Sequence, residues 1–485
     1  MDRVLRLFGL RYATAALVLV ALAALYGAAS LSRPGPRAGA TGQGARVPVT
    51  SALAVCPGHE GGRLSVQSTP GTPAGTAPRG GPGRAEVTAT GGGEPLGALV
   101  ALGQGWSKDQ DTAKDSFAVR ADGALAAGLE AEQTTHWPKG RDRGLAATRC
   151  AAPGTDLWFV GPGPVAAERL ELQLTNADAQ PASVDVTALS GEGPLDTPDG
   201  RGTLVEPHTT RTVLLGESAE GLGDIVGTAR DLALRVHATG GRVAASLRVR
   251  IGAGKGIDRV PVSPVPATSV IVPGVPSGEG ARRLMVGVPG AEDARIRVQV
   301  ITPSGSFAPH GQDILDAPAE TVSAVDLENA LSGKPAAVRL VSDRPIVAGF
   351  EARRGADVAY GTATAPFEQA VVADGRFAPA LTLTAPAGAA SVRITAIGGQ
   401  GAGTPQDVAV PAGRTVETKI AAPRGGEKGF GAMITVKAGS GPVHAARTLS
   451  AGKGDGALFT VVPVVPAVST VRLPAVGDSQ TALLF

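Results

Sequence analysis

The densest candidate for chemistry in this chain is Gly252-Ala-Gly-Lys-Gly256, a glycine run around a lysine. A phosphate-cradling loop needs GxxxxGK[ST] opening into a helix, so that backbone N–H groups and the lysine surround the phosphates. Here Val249 and Gly256 occupy the first-glycine and hydroxyl positions, and no helical pattern follows. Ala451-Gly-Lys-Gly-Asp-Gly456 has similar composition at the same place in a later repeat, so both read as surface turns. Asp109-Gln-Asp-Thr-Ala-Lys-Asp115 starts like a calcium loop, but Ala113 and Lys114 stand where an oxygen ligand and the sharp-turn glycine belong. It reads as a solvated loop. The pair His59-Glu60, near Cys56, lacks the nucleophile and orienting partner a hydrolase requires. There is no HExxH, Walker A, GxSxG or zinc-spaced Cys/His cluster. The expectation is no catalytic residue, no metal ligand and no cofactor, hence no enzyme.

Two other residue sets remain. Cys56 and Cys150 are the only cysteines, with no CxxC spacing. They bracket one repeat, so a disulfide between them would staple its ends in an oxidising compartment. Trp106, Trp137 and Trp158 all lie in or beside that repeat. Trp158 sits in an aliphatic strand and reads as core. Trp106 and Trp137 lie among polar, turn-like residues and form a candidate binding surface, since aromatic faces stack on sugars and seat partner proteins.

The elements that must position these residues repeat. Pro345-Ile-Val-Ala-Gly-Phe-Glu-Ala-Arg-Arg-Gly355 has counterparts at Ala124–Gln133, Arg242–Gly252 and Pro442–Gly452. Each follows a strand-like run and a Gly, Asp or Asn turn, which predicts four hairpins. A Pro-bearing strand opens each repeat: Ala54–Pro57, Trp158–Pro162, Val270–Pro273 and Phe377–Pro379, with a fifth copy at Val471–Pro474. These prolines lie 105, 111, 106 and 95 residues apart, a period of domain size. Between them run alternating segments such as Ala182-Ser-Val-Asp-Val-Thr187 and Ala294-Arg-Ile-Arg-Val298, the pattern of a sheet with one buried and one wet face. Six or seven strands per repeat, with turn signals every 8 to 12 residues, are the signature of a two-sheet sandwich. Asp326–Gly333 reads as one helical turn with Asp326 as N-cap and Gly333 after its end. Ser68–Gly83 reads as a disordered insertion.

The fold class is therefore all-β: an N-terminal transmembrane helix, then about four tandem Ig-like β-sandwich repeats. Residues 470–485 restart a repeat and stop. Two strands cannot fold alone, so they complete either the fourth unit of a row or a closed β-propeller with the tail sealing the ring. The boundaries read as 1–11 cytoplasmic, 12–31 anchor or signal sequence, 32–48 flexible linker, and repeats at 49–155, 156–266, 267–373 and 374–485.

Composition narrows the partners. Forty-five Lys and Arg balance 43 Asp and Glu without long like-charge blocks, which excludes the basic footprint of a nucleic-acid binder. Aromatics are 3%, so the cores are built from Val, Leu, Ile and Ala and must be thin. Tyr12 to Leu31 is a run of 20 uncharged residues preceded by Arg3, Arg6 and Arg11. At about 1.5 Å per residue it matches the hydrocarbon core, which favours an uncleaved anchor. Gly27 and Ala29 offer the rival reading, a cleaved signal. Either way the bulk of the chain is placed outside the cytoplasm.

The N-terminal span, Ala54-Val-Cys-Pro-Gly58, Cys150 before Thr155-Asp-Leu-Trp-Phe-Val-Gly161, Leu172 to Asn176 and the Val-x-Ala hairpins together resemble an uncharacterised family of actinobacterial envelope proteins, domain of unknown function 5719. The resemblance covers about residues 50–485. It implies an envelope location and carries no activity or site. The resulting expectation is a non-catalytic, membrane-tethered protein that scaffolds or binds in the cell envelope, with a cell-wall polymer or envelope protein as partner. The alternative is a secreted carbohydrate-binding protein or wall hydrolase acting through the first repeat.

Overall fold

A computed structural model of the chain describes residues 15–28, 46–58, 61–68, 83–110, 115–195, 198–217, 222–223, 225–426 and 429–473. His59, Glu60, most of the 68–83 insertion, residues 111–114 of the calcium-like loop and Thr481–Phe485 lie outside it.

Residues 48–469 form one compact body, and residues 1–47 with 470–485 a second. The first is all-β, built from four units of paired antiparallel sheets. In unit one, Ser51–Cys56, Phe117–Asp122, Ala85–Ala89 and Gly97–Leu99 form one sheet. Gly105–Gln110, Gly62–Gln67, Glu130–Trp137 and Gly144–Arg149 form the other. Unit two repeats this with Asp156–Pro162, Asp231–Gly240, Ala182–Ser190 and Gly193–Leu195 opposite Thr210–Leu214, Arg169–Thr175, Ala244–Arg250 and Ile257–Val260. Units three and four follow the same order, through Asp357–Thr362 and Leu458–Val464 as their last strands.

Alternation makes the sandwich. Along Ala294–Thr302, Ile296, Val298 and Val300 are buried while Arg295 and Arg297 are exposed. In unit two, Leu170, Leu172 and Leu174 of one sheet meet Val184, Val186, Leu232 and Leu234 of the other in one core. Each such side chain contributes about 1.5–3 kcal/mol on burial, so many small aliphatics replace the missing aromatics.

The predicted hairpins are not hairpins. Phe117–Asp122 pairs with Ser51–Cys56 and Ala85–Ala89, whereas Glu130–Trp137 pairs with Gly62–Gln67 and Gly144–Arg149. The intervening turn is a corner that carries the chain from one sheet to its facing partner. Unit three omits the turn: Ala336–Arg354 is a single 19-residue strand. Its Ala337–Ser342 part pairs with Ile296–Ile301 and its Val347–Ala352 part with Arg282–Gly287. A sandwich needs one crossing per unit, and two β-prone runs around a turn look alike whether they pair or part. The true hairpins lie one strand later, as in Ala244–Arg250 with Ile257–Val260. Likewise Phe377–Pro379 is no strand; Phe377 and Ala378 have positive φ, and the fourth unit opens at Gln369–Val372. The short helix is Glu328–Leu331, with the Glu328 N–H donating to Asp326 Oδ1 at 2.9 Å and Gly333 at φ +71° beyond it.

Among the described residues no sheet closes into a barrel, and no propeller forms. The units nevertheless do not end as an open row. Val55, with half-buried Leu53, packs in a seam with Ala177 and Ala244 of unit two. Trp158 and Val160 of unit two pack on Met285 and Val347 of unit three. Unit three's core takes in Ala446, Phe459 and Val461 of unit four. Leu145 and Ala147 of unit one then pack on Leu449, Leu458 and Val462 of unit four. The order of contact is cyclic, and Val49 N–H donating to Ser469 O at 3.0 Å joins the two ends of this body.

The second body holds helix 15–28 and a two-stranded sheet of Arg46–Pro48 with Thr470–Arg472. The restarted tail thus pairs with the linker's end. Among the described residues no helix is long and apolar enough to cross a membrane. The predicted span 12–31 exceeds the described helix at both ends.

Candidate functional site

The first unit is stapled as predicted. Cys56 closes one sheet's edge strand, Cys150 follows the last strand of the other, and the two are bonded with Cα atoms 4.2 Å apart. Val55 and Ala151 exchange N–H···O bonds of 2.8 and 2.9 Å beside the bridge. Trp106 lies opposite Val66 and packs, half-buried, on this unit's core. A Cβ at Gly97 would sit 2.5 Å from Trp106 Nε1, so the ring requires glycine beneath it. Val66 also faces Ala131, and Trp137 is six residues further along that strand, roughly 20 Å at about 3.3 Å per residue. The structure therefore does not bring Trp106 and Trp137 together. Trp158 is buried between units two and three, with the Arg235 guanidinium 5.6 Å from its ring centre.

The other face of unit one's second sheet was expected to be wet. Instead it packs on unit four. Glu132, 2% exposed, accepts the N–H groups of Ala373 at 3.0 Å and Asp374 at 3.2 Å and pairs with Arg447, which also donates to Asp374 O. Arg376 grips Asp374 through its Nε and a terminal nitrogen, at 3.0 and 2.7 Å, and Arg149 grips Glu130 at 2.6 and 2.5 Å. Burial pushes the Glu132 carboxyl up despite the pull of Arg447. Burial acts the same way on Asp374, but hydrogen bonding and charge from Arg376 outweigh it and hold that carboxyl low. Sequence reasoning missed this cluster because its members are 241 to 315 positions apart. Its one local trace is Glu130-Ala-Glu132, two carboxylates on the face opposite buried Ala131.

The last strands of units two, three and four meet at a second polar junction. Asp258 accepts from Tyr360 N–H at 3.2 Å and from Thr460 Oγ1 at 2.9 Å. Asp357 accepts from Phe459 N–H at 2.7 Å, while its Oδ1 is buried without a partner. Each aspartate thus secures the backbone of the next unit. Burial pushes the Asp258 carboxyl well up, against the bonds it accepts from its neighbours. Burial likewise pushes Asp357 up to about 6, against the Phe459 and Val358 N–H groups and the charges of Arg143 and Arg354. His444, buried and bonded to Thr364 O at 2.9 Å, is held neutral down to about 4 by desolvation.

A pH dependence follows. Folded Asp357 holds its proton more tightly than the unfolded carboxyl at about 3.8, so its contribution is whole below that pH and is lost as pH rises through about 6. Asp357→Asn cannot titrate. The melting temperature of the variant minus that of wild type should therefore climb between pH 4 and pH 7; a gap independent of pH would contradict the assignment.

The concavities are shallow. One of about 320 Å³ is bounded by Ile251, Lys255, Arg353, Asp357 and Val358 between units two and three. Another of about 420 Å³ in unit three is bounded by Glu279, Glu328 and Lys334 over Arg282. That guanidinium is spent on carbonyls, including Pro276 O at 3.1 Å and Gly280 O at 2.8 Å. The glycine runs at 252–256 and 452–456 are hairpin connections, as expected for turns. Among the described residues no cluster of His, Cys, Asp and Glu could hold a metal ion.

No curated protein matches the chain. Among solved structures, the crystal structure of a tetra-tandem repeat in the extending region of a large adhesion protein is 14% identical, covering 88% of this chain and 100% of that one. Its TM-score of 0.10 carries no argument about fold. The model of a family of unknown function, DUF5719, matches residues 106–421, from Trp106 in unit one to about the middle of unit four. That match takes in more than half of the sequence, and the chain belongs to this family of unknown function, DUF5719.

Proposed function

We propose that the chain is a non-catalytic, membrane-tethered protein of the cell envelope whose four extracytoplasmic sandwich units scaffold or bind a partner. The observation that carries this reading is helix 15–28. Its apolar side chains face outward all round, with Leu17 72%, Leu19 68%, Val20 68% and Leu25 67% exposed. A helix apolar on every side belongs in a bilayer or a core. The undescribed residues on either side extend the same uncharged run to 20 positions. The Cys56–Cys150 bridge supports an oxidising compartment. The shifted carboxyls support a scaffold as well. Asp258, Asp357 and Glu132 each accept a bond from a neighbouring unit's backbone, so these buried carboxyls serve assembly.

Cell fractionation tests the tether. The chain is expected in the membrane fraction, retained after a carbonate wash, with its units open to protease added from outside. Recovery in the soluble cytoplasmic fraction with Cys56 and Cys150 as free thiols would overturn the reading. Turnover of a wall glycan by the purified chain would overturn its non-catalytic part.

A further inference from the structure

The outward faces of the four units treat their cations differently. In unit four, Arg393 lies in register with Asp407 and bonds it at 2.9 and 3.1 Å, and Lys437 joins the same carboxylate at 2.7 Å. In unit two, Arg235 is held by Asp156 at 2.8 and 3.1 Å. In unit one, Arg120 lies in register with Glu86. Unit three breaks the pattern. Its Arg297 occupies the place of Arg393 in the repeated strand (Ala294-Arg-Ile-Arg-Val298 against Ala390-Ser-Val-Arg-Ile394). Where unit four supplies Asp407, unit three supplies Ile314, and on the other side Arg297 faces Val341. Arg339, one row along, faces Gln299 and Ile271.

No carboxylate among the described residues pairs with either arginine. The nearby Asp316 and Asp343 are engaged by Arg295, through its guanidinium at 3.9 Å and its N–H at 2.9 Å. Glu292 is taken by Arg344. Unit four reaches the row beyond, where Thr415 Oγ1 donates to Ile301 O at 2.7 Å. Arg297 is exposed, Arg339 half-buried, and Val341 is 38% exposed.

We propose that this face, Arg297 and Arg339 framed by Ile314 and Val341, docks a carboxylate-bearing polypeptide segment of a partner protein. The two unneutralised guanidiniums supply charge complementarity to carboxylates and fork geometry to grip them. The composition, arginine with aliphatic side chains and no lysine, is that of a protein interface. None of these four side chains is an aromatic ring on which a sugar would stack. The proposal gives the binding reading above a surface and a partner chemistry.

The test uses the full chain in detergent micelles, with fluorescently labelled poly-L-glutamate as the probe. Anisotropy titrations should show binding that weakens with added salt. Affinity should fall about tenfold or more in the Arg297→Gln, Arg339→Gln double variant. It should fall similarly in Ile314→Asp, which keeps both arginines but gives Arg297 the internal partner that Arg393 has. Arg393→Gln should bind as wild type. Absent binding, or wild-type affinity in either the double variant or Ile314→Asp, would overturn the proposal. So would a preference for phosphatidylglycerol vesicles or polygalacturonate that is lost with the same variants, because it would make the face a lipid or glycan site. None of these outcomes bears on membrane fractionation, so the tether stands or falls separately.

Discussion

Replacing Glu132 by alanine is expected to destabilise the four-unit body by about 3–5 kcal/mol, the usual cost of stranding one partner of a buried ion pair. Arg447 is 1% exposed and would keep only the Asp374 carbonyl, while the Ala373 and Asp374 N–H groups would lose their acceptor. Glu132→Gln separates the two parts of that cost. The amide oxygen still accepts from the backbone, so what remains is the uncompensated guanidinium. Urea unfolding followed by tryptophan emission measures both variants, since Trp106 and Trp137 lie in the unit that this seam holds. A loss under about 1 kcal/mol for Glu132→Ala would place the pair in a wet, screened setting instead. The seam also decides shape. Its failure should release unit one from unit four before the other junctions, which small-angle scattering would register as an increase in radius of gyration at urea concentrations that leave the emission of buried Trp158 unchanged.

Removing the disulfide is the second large effect. Cys56 and Cys150 are separated by 94 positions, so the chain-entropy argument gives about 4–5 kcal/mol lost on replacing both by serine. The bridge has additional work in this fold. Unit one carries the undescribed insertion and has the smallest core, with Leu64, Val66, Val87, Val119 and Leu125 among its few fully buried aliphatics. Both cysteines are buried, at 1% and 5% exposure, so reductant should reach their bridge only when the unit opens. Reduction of the native chain is therefore expected to be slow and to quicken in Glu132→Ala, because the same sheet is held from its other face. Rapid reduction at the same rate in both would show that the bridge is reached without opening.

These two constraints show how far local reading extends. Period-2 alternation is visible in Ala182-Ser-Val-Asp-Val-Thr187 because each buried side chain sits two positions from the next. The same signal cannot say whether the polar side meets water or another sheet. Glu130, Glu132 and Thr134 alternate as a wet face would, yet they are buried. Nor can it separate a hairpin from a corner. Asp231–Gly240 and Ala244–Arg250 are joined by a tight turn, and only their partners, Asp156–Pro162 and Arg169–Thr175, reveal that they belong to opposite sheets. Trp106 and Trp137 lie apart for the same reason: nearness in sequence and shared polarity do not give a common place on the sheet.

By itself the amino-acid sequence determined that the chain is a fourfold β repeat with aliphatic cores, a bridged first unit and an apolar N-terminal stretch. Those properties reside in neighbouring residues or in exact recurrence. Only the tertiary structure decided that the fourth unit returns to the first, that carboxylates bind the units together, and that no carboxylate among the described residues pairs with Arg297 or Arg339. Each of these depends on residues tens to hundreds of positions apart, whose pairing is chosen by the burial of whole sheets and leaves no periodic trace along the chain.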